Sequence, residues 1–296
     1  MSHFVYLNDR VVPAAEAKVS VFDHGFLYGD GIYETLRVYD GVVFLLDEHL
    51  QRLSRSASLI GLALPKDMPG IKRALYETLQ ANALRNAYVR LTVSRGYGQI
   101  GLDPALCKEP TFVIIANEFK PYPNALYESG ISLLIASTKR NLKEALDPRI
   151  KSLNFLNNIL AKIEAKQADA YEAVLLNGAG CLTEGTISNL FFVKEGVLCT
   201  PSVECGILDG ITRALVIDLA VRNSIGLCEG EFLPGDLYGA SEVFVTNTTM
   251  EVMPVCRVDA ARFTAGPVAR LLHTQYQREV NGYVSEKKGE GPSLWQ

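Results

Sequence analysis

The stretch RIKSLNFLNNILAKIEAKQA, residues 149–168, holds four basic side chains, and three of them have ordinary explanations. Lys162 and Lys166 lie four apart, and Ile159, Leu160 and Ile163 recur at helical spacing. That predicts an amphipathic helix with a core-facing apolar stripe and its lysines in water. Arg149 follows a proline in a loop and can pair with any nearby acid. Lys151 stands between Ile150 and Leu153, where a short apolar element runs into the helix. An ammonium there either snorkels to solvent or to a carboxylate, or it is held out of water with a lowered pKa as a nucleophile able to form a Schiff base. The rest of the chain has to decide.

The 296 residues are enough for two domains with real cores. A composition of 48% hydrophobic and 21% charged residues is that of a soluble globular protein. The net charge of −4 is spread along the chain without a basic block, which argues against nucleic acid or an anionic membrane as a partner. No run reaches the roughly 20 apolar residues of a membrane span, and MSHFVYLNDR at the start lacks a signal pattern. The six cysteines (107, 181, 199, 205, 228, 256) include no C-x-x-C pair, and the four histidines (3, 24, 49, 273) are scattered. Buried thiols in a reducing cytoplasm are expected, with neither disulfide nor metal.

FVYLNDRVV reads as a hairpin turning at Asn8-Asp9, and ETLRVYDGVVFLL as another at Asp40-Gly41. DEHLQRLSRSASLIGL and IKRALYETLQANAL are helical, AYVRLTVSRG alternates as a strand, and PTFVIIANEF is a buried strand. KPYPNALYESG, with two prolines and a glycine, is the linker candidate. Beyond it lie strands at ISLLIAST, EAVLLN, ISNLFFVKEGVLCTP and SEVFVTN, and a helix at ITRALVIDLAVRN. The expected architecture is α+β in two domains: a small N-terminal domain over 1–119, a linker over 120–129 and a larger C-terminal domain over 130–284. A polar tail follows over 285–296, in which Trp295 could dock.

Two features suit a cofactor lysine. In GILDGITRALVIDLA, Gly210 allows a tight entry to a helix whose first amides, at Ile211 and Thr212, with the Thr212 hydroxyl, form an anion site. An ordinary capped helix would read the same way. In LTEGTISNLFF, Glu184 could hold a heteroaromatic nitrogen protonated, or be a turn glutamate in water.

Taken in order, IKSLNFLNN, LTEGTISN, GIT at 210–212 and VTNTTMEVMPV at 245–255 resemble the fold type IV pyridoxal-phosphate enzymes, the class IV aminotransferases. VFDHGFLYGDGIYETLRVYDG and DEHLQRL match in the N-terminal half, so the resemblance covers residues 3–280. It implies pyridoxal 5'-phosphate as cofactor and Lys151 as its Schiff-base lysine. Arg52, the Ile211 and Thr212 amides and Thr248 are implied for the phosphate, and Glu184 for the pyridine nitrogen. The Thr248–Thr249 turn is implied to present amides to phosphate and substrate carboxylate. The implied reaction is ping-pong, with Lys151 as general base and then acid, an amino acid as donor and 2-oxoglutarate as acceptor.

Within the family the sequence is most similar to the L-branched-chain enzymes. Tyr88 and Arg90, two apart in AYVRL and so on one strand face, resemble their Tyr-x-Arg pair; a half-exposed strand face is the plainer reading. D-amino acid enzymes usually carry a basic trap in the next loop, which here is SRGYGQIGLDP, glycine-rich and without a basic residue beyond Arg95. Glu251 in TTMEVMPV is typical of transaminases rather than of aminodeoxychorismate lyases. Tyr28 and Tyr33 are implied to line the pocket, with the Tyr28 loop reaching into a neighbouring subunit, which implies a homodimer. Phe155 departs from the tyrosine many branched-chain enzymes have there, losing one hydrogen bond worth about 1 kcal/mol. The D-amino acid aminotransferase, the lyase and a catalytically silent cofactor-fold protein remain the alternatives.

Overall fold

The computed structural model describes residues 3–288. The chain divides into two units: 3–120 with 150–154 and 280–288, and 121–149 with 155–279.

Unit 1 is built on an all-antiparallel sheet of β1 (Phe4–Leu7), β2 (Arg10–Pro13), β3 (Gly31–Tyr39), β4 (Val42–Val43), β5 (Ala87–Ser94) and β6 (Thr111–Glu118), in the order β2-β1-β6-β5-β3-β4. Both expected hairpins form, with Asn8, Asp40 and Gly41 at positive φ in their turns. Strand β5 shows why the pattern is legible: Val89, Leu91 and Val93 are fully buried, while Tyr88, Arg90 and Thr92 between them are half-buried.

Helices α1 (His24–Tyr28), α2 (Leu46–Leu59) and α3 (Met68–Ala81) complete this unit. Helix α2 has Asp47 and Glu48 in its first turn, where carboxylates suit the helix dipole. Helix α3 is capped by Asp67, whose side chain accepts from the Gly70 N–H at 2.9 Å, a cap worth about 1 kcal/mol. Leu50 and Leu53 of α2 and Leu75 and Leu79 of α3 are buried in one core with the sheet. Each adds about 2 kcal/mol of apolar burial.

Unit 2 contains α4 (Asn124–Ser129), β7 (Ile131–Lys139), α5 (Leu156–Gln167), β8 (Glu172–Leu176), β9 (Leu182–Gly185), β10 (Asn189–Lys194) and β11 (Val197–Pro201). It continues with α6 (Ile211–Arg222), β12 (Leu227–Gly230), α7 (Pro234–Tyr238), β13 (Glu242–Asn247), β14 (Glu251–Val258) and β15 (Ala261–Arg262). Helix α8 (Pro267–Lys287) starts in unit 2 and enters unit 1 at Val280. Its first turn is capped by the buried Glu242 of β13, which accepts from the Ala269 N–H at 3.0 Å. The nine-stranded sheet runs β12-β11-β10-β13-β14-β7-β8-β9 with β15 beside β14, and β9 also pairs β10 through Asn189↔Glu184. Strands β9, β10, β13, β14, β7 and β8 thereby close into a ring.

Several expectations need correction. Residues 150–154 lie apart from their sequence neighbours, in unit 1, because they pair with the end of β3: Tyr33 N–H donates to Lys151 O and Leu153 N–H to Gly31 O, both at 2.9 Å. Residues 120–129, expected as linker, include α4. Helix α5 forms, but Ile159, Leu160 and Ile163 are about half exposed, and its core stripe is Ala161 and Ala165. Cys228 is exposed rather than buried, on β12 at the sheet edge; all six thiols are free. Part of the expected tail, 285–287, is helical, while Trp295 lies outside the described residues. Among the described residues no helix is long and apolar enough to cross a membrane, and no group of three or more His, Cys, Asp or Glu could hold a metal ion.

Candidate active site

In unit 1 the Lys151 segment is fixed by its backbone. The bonds to β3 hold one side, and the Lys151 N–H donates to Ser56 Oγ at 3.2 Å on the other. Gly31 is required here: a Cβ would fall 2.7 Å from both Leu153 Cδ1 and Val93 O. With the backbone held, Lys151 Nζ lies 4.5 Å from the centre of the Tyr33 ring. The Arg90 guanidinium lies 3.9 Å from the same ring. Both contacts are in cation–π range.

Helix α2 supplies the second part. His49, Arg52 and Ser56 follow at helical spacing on one face, all buried. His49 and Arg52 meet Glu34 of β3, which has no exposed surface. Arg52 grips Glu34 with Nε and Nη2, both at 2.7 Å, and His49 Nδ1 lies 2.8 Å from Oε2. Burial pushes Glu34 towards its neutral form, but Arg52 and then His49 outweigh it and hold the carboxyl well below its ordinary range. Burial lowers His49, Glu34 opposes, and Arg52 and Lys151 add to the lowering. The consistent assignment is a neutral His49 donating to a Glu34⁻–Arg52⁺ pair, with the guanidinium aimed by two bonds.

Tyr28 ends α1 and its hydroxyl accepts from the Gly101 N–H at 3.1 Å. Tyr88 shares the face of Arg90 and sits opposite Arg37 and Asn117.

Unit 2 gathers its candidates where β9, β10 and β13 meet the start of α6. Glu184 is buried in a strand, not a turn glutamate in water. Its Oε1 lies 2.9 Å from Arg140 Nη2; its Oε2 accepts from the Leu208 N–H at 2.9 Å and from Asn189 Nδ2 at 3.3 Å. Asn189 Nδ2 also donates to Leu208 O, which fixes the approach to α6. At its N-cap, Gly210, no side chain caps the helix, and a Cβ would fall 2.0 Å from Asn189 Oδ1. Ile211 and Thr212 follow as the first residues of the helix, with Thr212 buried.

Thr248 and Thr249 lie in the turn after β13, shaped by Asn247. Asn247 Oδ1 accepts from the Thr249 N–H at 2.9 Å and from the Met250 N–H at 2.7 Å. The Thr249 amide, expected to face a ligand, is thus engaged within the turn. Glu34, His49, Ser56, Arg140 and Asn189 have no role in the sequence reading, because no local spacing pattern points to the partner through which each acts.

The family model for class IV amino-transferases matches residues 31–258. The chain belongs to the class IV aminotransferases. Its relatives include a Methanocaldococcus jannaschii protein provisionally named a branched-chain-amino-acid aminotransferase, 43% identical, the match covering 98% of this chain and 97% of that one. The D-alanine aminotransferase of Bacillus licheniformis is 36% identical over 93% of this chain and 96% of its own. The aminodeoxychorismate lyase of Bacillus subtilis is 34% identical, at 96% and 97%. Among solved structures, the branched-chain aminotransferase of Thermoproteus uzoniensis with norvaline superposes with a TM-score of 0.90 at 34% identity, covering 95% and 96%. The T.th. branched-chain enzyme with pyridoxamine 5'-phosphate superposes at 0.91 and 32%, covering 98% and 97%.

The family's cofactor is pyridoxal 5'-phosphate, and the residues present fit it. Unit 2 joins, through Asn189, a buried carboxylate suited to a protonated ring nitrogen and a helix N-terminus without a side-chain cap, suited to a phosphate.

Proposed function

We propose that this class IV aminotransferase moves the amino group of L-leucine, L-isoleucine or L-valine to 2-oxoglutarate by a ping-pong mechanism, working as a homodimer. The observation that carries the substrate reading is the Tyr33 ring, with Lys151 Nζ at 4.5 Å and the Arg90 guanidinium at 3.9 Å. A guanidinium so held suits the second carboxylate of an acidic co-substrate. Arg95, the basic residue of the loop where D-specific enzymes carry a trap, is committed elsewhere. It binds Asp30 with Nε and Nη2, at 2.8 and 3.0 Å, and the carbonyls of Ile60 and Gly61.

When bound, the cofactor supplies an electron sink for the pair of electrons left as the substrate Cα–H bond breaks. The chain's own residues do the rest. Lys151 Nζ would hold the cofactor and, once freed as the amine, would act as the base that takes the substrate Cα proton and the acid that gives it back. Glu184 would hold the proton of the ring nitrogen. In unit 1 Arg52, aimed by Glu34, would serve the phosphate; in unit 2 Thr248 and the first amides of α6 would do so. Tyr28, Tyr33, Tyr88 and Thr249 are assigned to the substrate pocket.

The dimer reading is supported by exposed apolar side chains in both units: Phe26 at 72% and Leu102 at 83% in unit 1, Leu156 at 68% and Ile187 at 58% in unit 2. The test of substrate is the first half-reaction, followed by the visible absorbance of bound cofactor. Bleaching by L-leucine and not by D-alanine is expected. Bleaching by D-alanine alone would move the protein to the D-amino acid enzymes. Indifference to both, with pyruvate released from aminodeoxychorismate, would make it a lyase.

A further inference from the structure

We propose that Arg140 is a positioning residue for Glu184. It keeps that carboxylate anionic and fixed in angle, and so sets how firmly the cofactor's ring nitrogen is held and how strongly the ring withdraws electrons. The proposal rests on the reading of Glu184 above.

Arg140 directly follows β7, and its backbone N–H donates to Leu176 O at 2.8 Å, at the end of β8. Leu176 pairs with Leu182 of β9, the strand that carries Glu184 two residues on. The strand ladder therefore delivers the guanidinium to the carboxylate, with Nη2 at 2.9 Å from Oε1. Both side chains are nearly buried, at 10% and 7% exposure. Asn157 of α5 holds the other end: its Oδ1 lies 3.4 Å from Arg140 Nη1, while its own Nδ2 donates to Lys139 O at 2.7 Å. Arg140 is thus fixed by a strand on one side and a helix on the other, before any ligand binds.

The chemical consequence follows from where the proton sits. A buried carboxylate without a cation gains by taking a proton from an adjacent pyridinium, leaving an acid and a neutral ring. A neutral ring is the weaker electron sink. With a guanidinium on Oε1 and the Leu208 N–H on Oε2, the anion is favoured and the proton stays on the ring nitrogen. Arg140 touches neither reacting carbon nor phosphate in this scheme; it works through Glu184.

The experiment compares Arg140→Met, Arg140→Lys and Glu184→Gln holoenzymes with the unaltered enzyme. It measures pyridoxamine phosphate affinity, the pH titration of the visible band of bound cofactor, the L-leucine half-reaction in single turnover, and thermal unfolding. For Arg140→Met, pyridoxamine phosphate should bind about ten- to a hundredfold more weakly, the loss of one hydrogen bond to a charged group. The band should titrate at a displaced pH, and the half-reaction should slow at unchanged half-saturating leucine. Arg140→Lys, which keeps the charge and loses the planar fork, should fall between. A lowered melting temperature alone, with unaltered affinity and band titration, would make the pair purely structural and overturn the proposal. Should Arg140→Met fail to fold, Arg140→Lys decides by the same readouts: intermediate values support the proposal, unaltered ones overturn it. A Glu184→Gln enzyme with unaltered affinity and band would instead overturn the cofactor reading of Glu184 itself.

Discussion

Glu34 is a negative charge with no exposed surface, tolerated because two side chains of α2 close on it. Replacing it with glutamine removes the charge and leaves Arg52 buried without its counter-ion. A loss of about 3–5 kcal/mol in stability is expected, read as a lowered urea midpoint, together with weaker binding of pyridoxamine phosphate. The same cluster sets a pH dependence. His49 is shifted below its ordinary 6.5, by burial first and by Arg52 and Lys151 against the pull of Glu34. The folded protein therefore binds fewer protons than the unfolded chain below that pH, and stability falls with acidification from there. Glu34, shifted below its ordinary 4.5 by Arg52 and His49 despite burial, has the same sign: its contribution is whole above 4.5 and lost beneath it. Urea midpoints should thus fall in two stages, the first on acidification below 6.5 and the second below 4.5, and His49→Gln should remove the first stage; a single stage in both proteins would contradict the assignment. Little of this is legible in the sequence. Arg52 is named there only through family resemblance, and Glu34 lies 18 residues from it, on a strand whose pattern says nothing of an ion pair.

At the scale of the element, α5 shows how a correct periodicity can give the wrong face. The apolar residues of ILAKIEA occupy two stripes, and the larger ones dominate any hydrophobic count. In the structure Ala161 and Ala165 are fully buried against Ala136, Ala173 and Leu175, because a small residue lets the helix lie close on β7 and β8. Ala161→Leu should therefore destabilise by about 1–3 kcal/mol through overpacking, whereas Ile163→Ser should leave the unfolding of the unassociated chain nearly unchanged; calorimetry on both decides. Glu164, on the same helix, is likewise unremarked in sequence. It receives the N–H and hydroxyl of both Ser137 and Thr138, and these bonds outweigh its burial to bring its pKa to about 2. The hairpins, α2, α3 and α6 are read correctly, since their turn residues and apolar spacing are local signals. Strand β9 is missed, because four residues around a glycine carry no period.

At the scale of the whole molecule, the sequence order suggests domains that follow one another, and the chain instead returns residues 150–154 to the edge of β3. Nothing local announces a pairing between Lys151 and Tyr33, distant as they are in sequence; the motif order identifies Lys151 where periodicity cannot. The homodimer reading belongs here too. Ile159→Glu with Ile163→Glu, both on the exposed face of α5, should shift the mass measured by light scattering from two chains towards one if that face is part of the contact. The central claim is that Lys151 carries the cofactor, and one measurement meets it directly: borohydride reduction of the holoenzyme, proteolysis and peptide mass spectrometry. The expected result is a phosphopyridoxyl group on Lys151 and on no other lysine. Its recovery on a different lysine, or nowhere in a protein that still transaminates, would contradict the assignment.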